Sequence, residues 1–249
     1  MGRYGLEPQI AGASTLEFFA RRSVLLAGAA LTLAGCGPSR PTDAAAVSPE
    51  TTTATPPADP ANEKGAEEKV ITMLGDSITA GYGLAAADAL PAQLEDALRA
   101  SGHQVRVRAA GVSGDTSAGG LARVDFSVQD DTDLCIVAMG GNDMLQGIEP
   151  ATMRANLQSI IDRLRARHIP VLLAGMRAPP QYGAYAADFD KVFVDLAKED
   201  DVTAYPFLLN GVALDRGLNQ ADGIHPNAQG VKIVAAGLAP VVASALAKT

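Results

Sequence analysis

The sequence has no tryptophan, and phenylalanine and tyrosine supply only 4% of its 249 residues. A surface that stacks nucleic-acid bases needs aromatic side chains, so this scarcity argues against one. Basic charge is short as well. Twenty Lys and Arg face 28 Asp and Glu, giving a net charge of −8 and a pI near 4.8, the wrong sign for a phosphate-backbone partner. Cysteine occurs twice, at Cys36 and Cys135, and histidine three times, at His103, His168 and His225. No Cys-x-x-Cys or His-x-x-x-His pair occurs, so no metal site is expected. There is no Gly-x-Gly-x-x-Gly after a strand and no phosphate loop ending in Gly-Lys-Ser/Thr, so no nucleotide cofactor is expected either. What the chain does have is apolar substance: 47% hydrophobic residues and a mean hydropathy of +0.10, enough for one well-filled domain.

The first quarter of the chain reads as an appendage. Arg21-Arg22-Ser23 precedes the apolar stretch from Val24 to Gly35, which is far shorter than the ~20 residues of a membrane-spanning helix. A basic segment followed by a short apolar one is the pattern of an export signal. The stretch ends in Leu33-Ala34-Gly35-Cys36, which resembles a bacterial lipobox with Cys36 as the acylated residue. The paired arginines also resemble a twin-arginine export signal. Residues 1–35 are therefore expected to be a signal peptide and residues 36–66, rich in Pro, Ala and Thr, a disordered tether. The expected location is the bacterial cell envelope, periplasmic face or cell surface, with the membrane reached through Cys36. Residues 67–249 form the expected folded domain.

Within that domain, apolar runs alternate with helical periodicity. Val70–Leu74 reads as a buried strand. Leu90, Leu94 and Leu98 recur at helical spacing after Pro91, which suits a first turn. Val105, Val107 and Ala109 alternate in a second strand, and Leu134–Met139 is a continuous apolar run, the mark of a strand covered on both faces. Cys135, inside that run, reads as a packing residue. Met153, Leu157, Ile160, Ile161 and Leu164 make one face of a helix that His168 ends at the surface. Val171–Ala174 is another strand, Phe189 to Leu196 another helix, and Val202–Phe207 a last strand. A terminal helix is expected from Val231, kinked or divided at Pro240. Alternating strands and helices predict an α/β domain in three layers around a parallel sheet.

Four polar segments interrupt this pattern where strands end. Gly75-Asp76-Ser77 follows the first strand, and in open α/β sheets ligands bind at the strands' carboxyl ends. Gly111–Thr116 is a flexible loop in which glycine permits close approach of backbone N–H groups to a ligand. Gly140-Gly141-Asn142-Asp143 follows the third strand, where the Asn142 amide can donate a hydrogen bond or simply cap a helix. Asp222-Gly223-Ile224-His225-Pro226-Asn227 puts a carboxylate three residues before a histidine, close enough to reach its Nδ1 and leave Nε2 free. Each segment alone is an ordinary turn.

In order and context the four match the blocks of the SGNH (GDSL-type) hydrolase superfamily, which the chain resembles from about residue 69 to its end. The likeness is strongest to the bacterial acyl-CoA thioesterase I / protease I / lysophospholipase group, whose pattern is also echoed by Gly120-Leu121-Ala122-Arg123 and by Arg177 to Gly183. The resemblance implies a flavodoxin-like α/β/α fold with five parallel strands. It also implies a serine esterase acting on acyl esters or thioesters, with Ser77, His225 and Asp222 as triad. The oxyanion donors would be the backbone N–H groups of Ser77 and Gly114 and the side-chain amide of Asn142. Asp76 and Asp143 are then structural. The loop Met144 to Ile148 would border the acyl site, giving Met144, Leu145, Ile148 and Tyr182 as candidate substrate contacts. A monomer with a small acyl substrate and no cofactor is expected. Two other readings are a carbohydrate O-deacetylase of the same superfamily and a tethered binding module. The serine is not in a Gly-x-Ser-x-Gly elbow, because Thr79 stands at the place of the second glycine.

Overall fold

The computed structural model describes residues 68–248. The expected signal peptide, Cys36 and the tether lie outside the described residues. The chain runs through β1 (Lys69–Gly75), α1 (Ser77–Ala80), α2 (Leu90–Ala100), β2 (Val105–Gly111), α3 (Ser117–Ser127) and β3 (Leu134–Ala138). It continues through α4 (Gly141–Leu145), α5 (Pro150–Ala166), β4 (Val171–Ala174), α6 (Ala184–Leu196), β5 (Val202–Tyr205) and α7 (Ala228–Leu246). All five strands are parallel, in the order β2-β1-β3-β4-β5.

That order fixes where a ligand can sit. The chain leaves β1 toward β2 on one side, then crosses back to β3 and proceeds outward to β4 and β5. Right-handed crossovers place helices from these two directions on opposite faces. Accordingly α2 packs with α7, whereas α3, α5 and α6 pack in series. The reversal lies between β1 and β3, and a crevice opens at their carboxyl ends. Ser77 and Asn142 follow these two strands.

The central strands form as their composition dictates. β1 is buried from Val70 to Gly75 and β3 throughout, with Ile71, Met73, Ile136 and Val137 fully enclosed by helices on both faces. Cys135 is completely buried, and that burial pushes its thiol up to about 12, so it packs rather than reacts. β2 is an edge strand. Val105 and Val107 are buried, but Ala109, expected to continue the alternation, is exposed.

α7 also departs from the sequence expectation. It begins at Ala228 rather than Val231, because the Asn227 side chain accepts hydrogen bonds from the N–H groups of Gln229 and Gly230. It runs undivided through Pro240. A proline inside a helix costs ~3 kcal/mol. The buried stripe Val231, Val234, Leu238 and Val242 outweighs it.

Candidate active site

Ser77 is the first residue of α1, set by a turn too tight for any side chain at its base. A Cβ on Gly75 would fall on the Thr79 side chain, and one on Gly111 on the backbone of Ala80 and Asp76. Asp76 caps the helix, its Oδ1 accepting from the Ile78 N–H at 3.0 Å. The serine is thereby presented at the rim of the sheet with little freedom.

The imidazole facing Ser77 arrives from the far end of the chain. His225 Nε2 lies 2.8 Å from Ser77 Oγ, and His225 Nδ1 lies 2.7 Å from Asp222 Oδ2. The other oxygen of Asp222 accepts the N–H groups of Ile224 and His225 at 2.9 and 3.0 Å. These contacts, the imidazole first, hold Asp222 down at about 2, so it is ionised at any ordinary pH. A carboxylate at Nδ1 fixes the neutral tautomer with its proton there, which turns the Nε2 lone pair toward the serine hydroxyl. Tyr82 packs on the imidazole with ring centroids 4.7 Å apart. Gln220 donates from Nε2 to the Tyr82 carbonyl at 2.8 Å and so ties the histidine loop to the segment after α1.

Gly114 has φ of +86°, a conformation that favours glycine. Among the described residues no protein acceptor takes the backbone N–H of Ser77 or of Gly114. The Asn142 amide donates to the Asp115 carbonyl at 2.9 Å, and its remaining contact is a long one of 3.5 Å to Asp76 Oδ2. One amide proton is therefore anchored and the other only weakly held.

Two supports were named from sequence without their partners: Arg123 in a family-like segment, and Asp143 as a structural residue. Arg123 donates to the Gly75 carbonyl, the Ala110 carbonyl and Asp115 Oδ2 at 2.8, 2.8 and 2.6 Å, clamping the ends of β1 and β2 to the Gly114 loop. Asp143, fully buried, accepts from the Ser117 N–H and hydroxyl, and Asn156 donates to that hydroxyl at 3.0 Å. This joins α4 to α3 and α5. Arginine and buried aspartate are common in any sequence, and only the fold gives them these partners.

A cavity of about 520 Å³ opens over Ser77 and His225. Met144, Leu145 and Tyr182 line it, as do Ser77, Gly114 and Asn142. Ile148 does not. Its N–H donates to the Asp143 carbonyl and its own carbonyl accepts the Tyr185 hydroxyl at 2.9 Å, so it closes the α4 turn away from the cavity. Sequence reasoning did not single out Met176, Phe207, Leu209, Leu214 and Ile224, which complete the apolar wall. They come from the loops after β4 and β5, and no local pattern marks them. His103 and His168 lie away from the cavity, His168 at the exposed end of α5.

Comparison with known proteins identifies the family. The family model described as the GDSL-like lipase/acylhydrolase family matches residues 73–233. Esterase TesA of Pseudomonas aeruginosa is 40% identical over 163 residues, covering 65% of this chain and 81% of that protein. The thioesterase 1/protease 1/lysophospholipase L1 of Escherichia coli is 37% identical over 166 residues, covering 66% and 78%. The solved structure of AlinE4, an SGNH-hydrolase family esterase, is 46% identical and superposes with a TM-score of 0.60 over 72% of this chain and 97% of that one. With the matched region spanning every residue gathered around the cavity, the chain belongs to the GDSL-like lipase/acylhydrolase family.

Proposed function

We propose that the chain hydrolyses carboxylic esters or thioesters of apolar acyl groups through an acyl-enzyme on Ser77. The observation that carries this reading is the continuous 2.8 and 2.7 Å relay from Ser77 Oγ through His225 to Asp222 at the floor of an apolar cavity. Ser77 Oγ attacks the acyl carbonyl carbon while its proton passes to His225 Nε2. The imidazolium is stabilised by ionised Asp222. The carbonyl oxygen becomes an oxyanion, for which the N–H groups of Ser77 and Gly114 and the loosely held proton of Asn142 are the donors. His225 then protonates the departing oxygen or sulfur. A water, deprotonated by His225, attacks the acyl-enzyme, and collapse releases the acid and restores the Ser77 hydroxyl.

The apolar wall supports a fatty or aromatic acyl group rather than a sugar, which would require several polar partners. This sets the carbohydrate O-deacetylase reading behind the esterase. A binding module has no need of the serine–imidazole–carboxylate relay. We extend the proposal to the amino-terminal segment: export, with acylation of Cys36, holds the domain at the envelope membrane. Mass spectrometry of the mature chain tests this, and an unmodified Cys36 overturns it.

The activity itself is tested with p-nitrophenyl esters from acetate to palmitate and acyl-CoAs alongside. Ser77→Ala and His225→Ala are each expected to lose hydrolysis of every member while circular dichroism stays unchanged. Retained activity in either variant overturns the assignment.

A further inference from the structure

Among the described residues nine large apolar side chains stand exposed, and five of them line the one cavity over Ser77: Tyr82, Leu145, Tyr182, Leu214 and Ile224. Single exposed apolar residues are normal on any protein, whereas a cluster marks an interaction site. These five come from separate stretches of chain: the segment after α1, the end of α4, the turn before α6, and two places between β5 and α7. Because each both lines the cavity and reaches solvent, together they form a collar around its mouth.

Leu214 is the most telling member. It is 86% exposed and has φ of +68°, a left-handed conformation that costs a non-glycine residue roughly 1–2 kcal/mol. Neither the strain nor the exposure benefits the isolated domain. Strain of this kind persists where surrounding structure imposes it, and it concentrates at sites of function.

We infer that the collar docks on the surface of a zwitterionic phospholipid layer, from which the acyl substrate enters the cavity directly. The substrate clause rests on the hydrolase reading above, but the docking does not. A protein partner or a second copy seated on the collar would cover the mouth it surrounds, whereas a lipid layer is at once the seat and the source. The side chains suit such a boundary: Tyr82 and Tyr182 pair an apolar ring with a polar tip, and Leu145, Leu214 and Ile224 are wholly apolar. Charge points the same way. Arg177 is the only Lys or Arg on the cavity wall, is exposed, and stacks 5.4 Å from the Phe207 ring centroid, with no carboxylate partner among the described residues. A guanidinium so placed is complementary to a lipid phosphate. The net charge of −8 disfavours a strongly anionic surface, leaving phosphate carried by a zwitterionic headgroup.

The absence of tryptophan from the chain makes the test direct, since a single introduced indole reports on its own surroundings. Leu214→Trp, Tyr182→Trp and Phe126→Trp are each made in the full chain carrying Ser77→Ala, so that no lipid is turned over. Phe126 is 88% exposed but does not line the cavity, which makes it the control. With phosphatidylcholine vesicles added, the emission at positions 214 and 182 is expected to move to shorter wavelength and to be quenched by brominated phosphatidylcholine. Position 126 is expected to remain unchanged. Unshifted emission at both 214 and 182, or an equal shift at 126, overturns the docking face. Neither result bears on hydrolysis, which is measured separately on soluble esters.

Discussion

The two halves of the site are built in opposite ways. The serine half is interior: Asp76, Ser77, Thr79, Ser117 and Asp143 are all buried, and its turn leaves no room for a Cβ at Gly75 or Gly111. The histidine half is a surface turn. Residues 221–224 are exposed, and the loop is held by Asp222 accepting two local N–H groups and by the Gln220 contact to Tyr82. The same residue type behaves accordingly. Burial pushes Asp76 up to about 6, while hydrogen bonds to the imidazole and the backbone hold Asp222 at about 2. Packing positions Ser77 and local hydrogen bonding positions His225, so the halves should fail differently.

The largest effect is expected on the exposed half, and on chemistry alone. Asp222→Asn keeps a hydrogen-bonding side chain but removes the charge that selects the tautomer, and kcat should fall by ~10⁴. The melting temperature should stay within a degree or so, since such a surface change is worth little to the fold. A large loss of stability would mean that the turn is not the independent unit described.

Next comes the junction between the halves. Asn142→Ala removes one of the donors proposed for the oxyanion and should lower kcat by ~10²–10³ without a matching rise in KM. An effect confined to KM would assign Asn142 to substrate binding instead.

On the buried half the order reverses. Gly111→Ala forces a methyl group against the backbone of Ala80 and Asp76, an overpacking expected to cost ~1–3 kcal/mol. At this size each kcal/mol lowers the melting temperature by about 2–4 °C. Gly223→Ala on the histidine turn meets nothing within 4 Å, and its cost is confined to the strain of φ at +70°. Thermal melts of the two, compared, test whether packing holds only the serine side.

The last effect concerns Asp76 and shows only as a function of pH. Burial holds its folded value above the ordinary 3.8 of an aspartate, so the native state binds the extra proton between about 4 and 6. The stability it contributes is present below that window and is lost as pH rises through about 6. Asp76→Asn retains an acceptor for the Ile78 N–H and cannot ionise. It should therefore be more stable than the parent above pH 6, by at most ~3 kcal/mol, and the difference should vanish near pH 4. A constant difference across the range would trace the effect to packing instead.

What was legible in the sequence follows the same division. Leu134–Met139 could be read as a buried strand because a strand enclosed on both faces has no polar positions to spare. The pairing of Asp222 with His225 could be read because it is local, three residues apart ahead of a proline. Ser77 could be placed at a strand end, but that it meets His225 across 148 positions was carried by the family resemblance, not by any pattern in the chain. The cavity wall was the least legible part. Met144 and Leu145 line it and Ile148, past the end of α4, does not, its carbonyl instead accepting the Tyr185 hydroxyl. Leu209, Leu214 and Ile224 sit in a loop with no periodicity at all. Ala109 and Pro240 show the other limit: whether a face is covered, or a broken rule tolerated, depends on neighbours distant in sequence.

The topological reversal between β1 and β3 has a further consequence. Ser77, Gly114 and Asn142 follow the ends of β1, β2 and β3, strands that pair with one another, whereas most of the apolar wall is carried on the loops after β3, β4 and β5. A lengthened or shortened loop can thus redraw one wall while the register beneath it stays paired. Descent with changing diet is easy for such a scaffold: selection can trade one acyl group for another loop by loop, and the inherited reaction need not be reinvented each time.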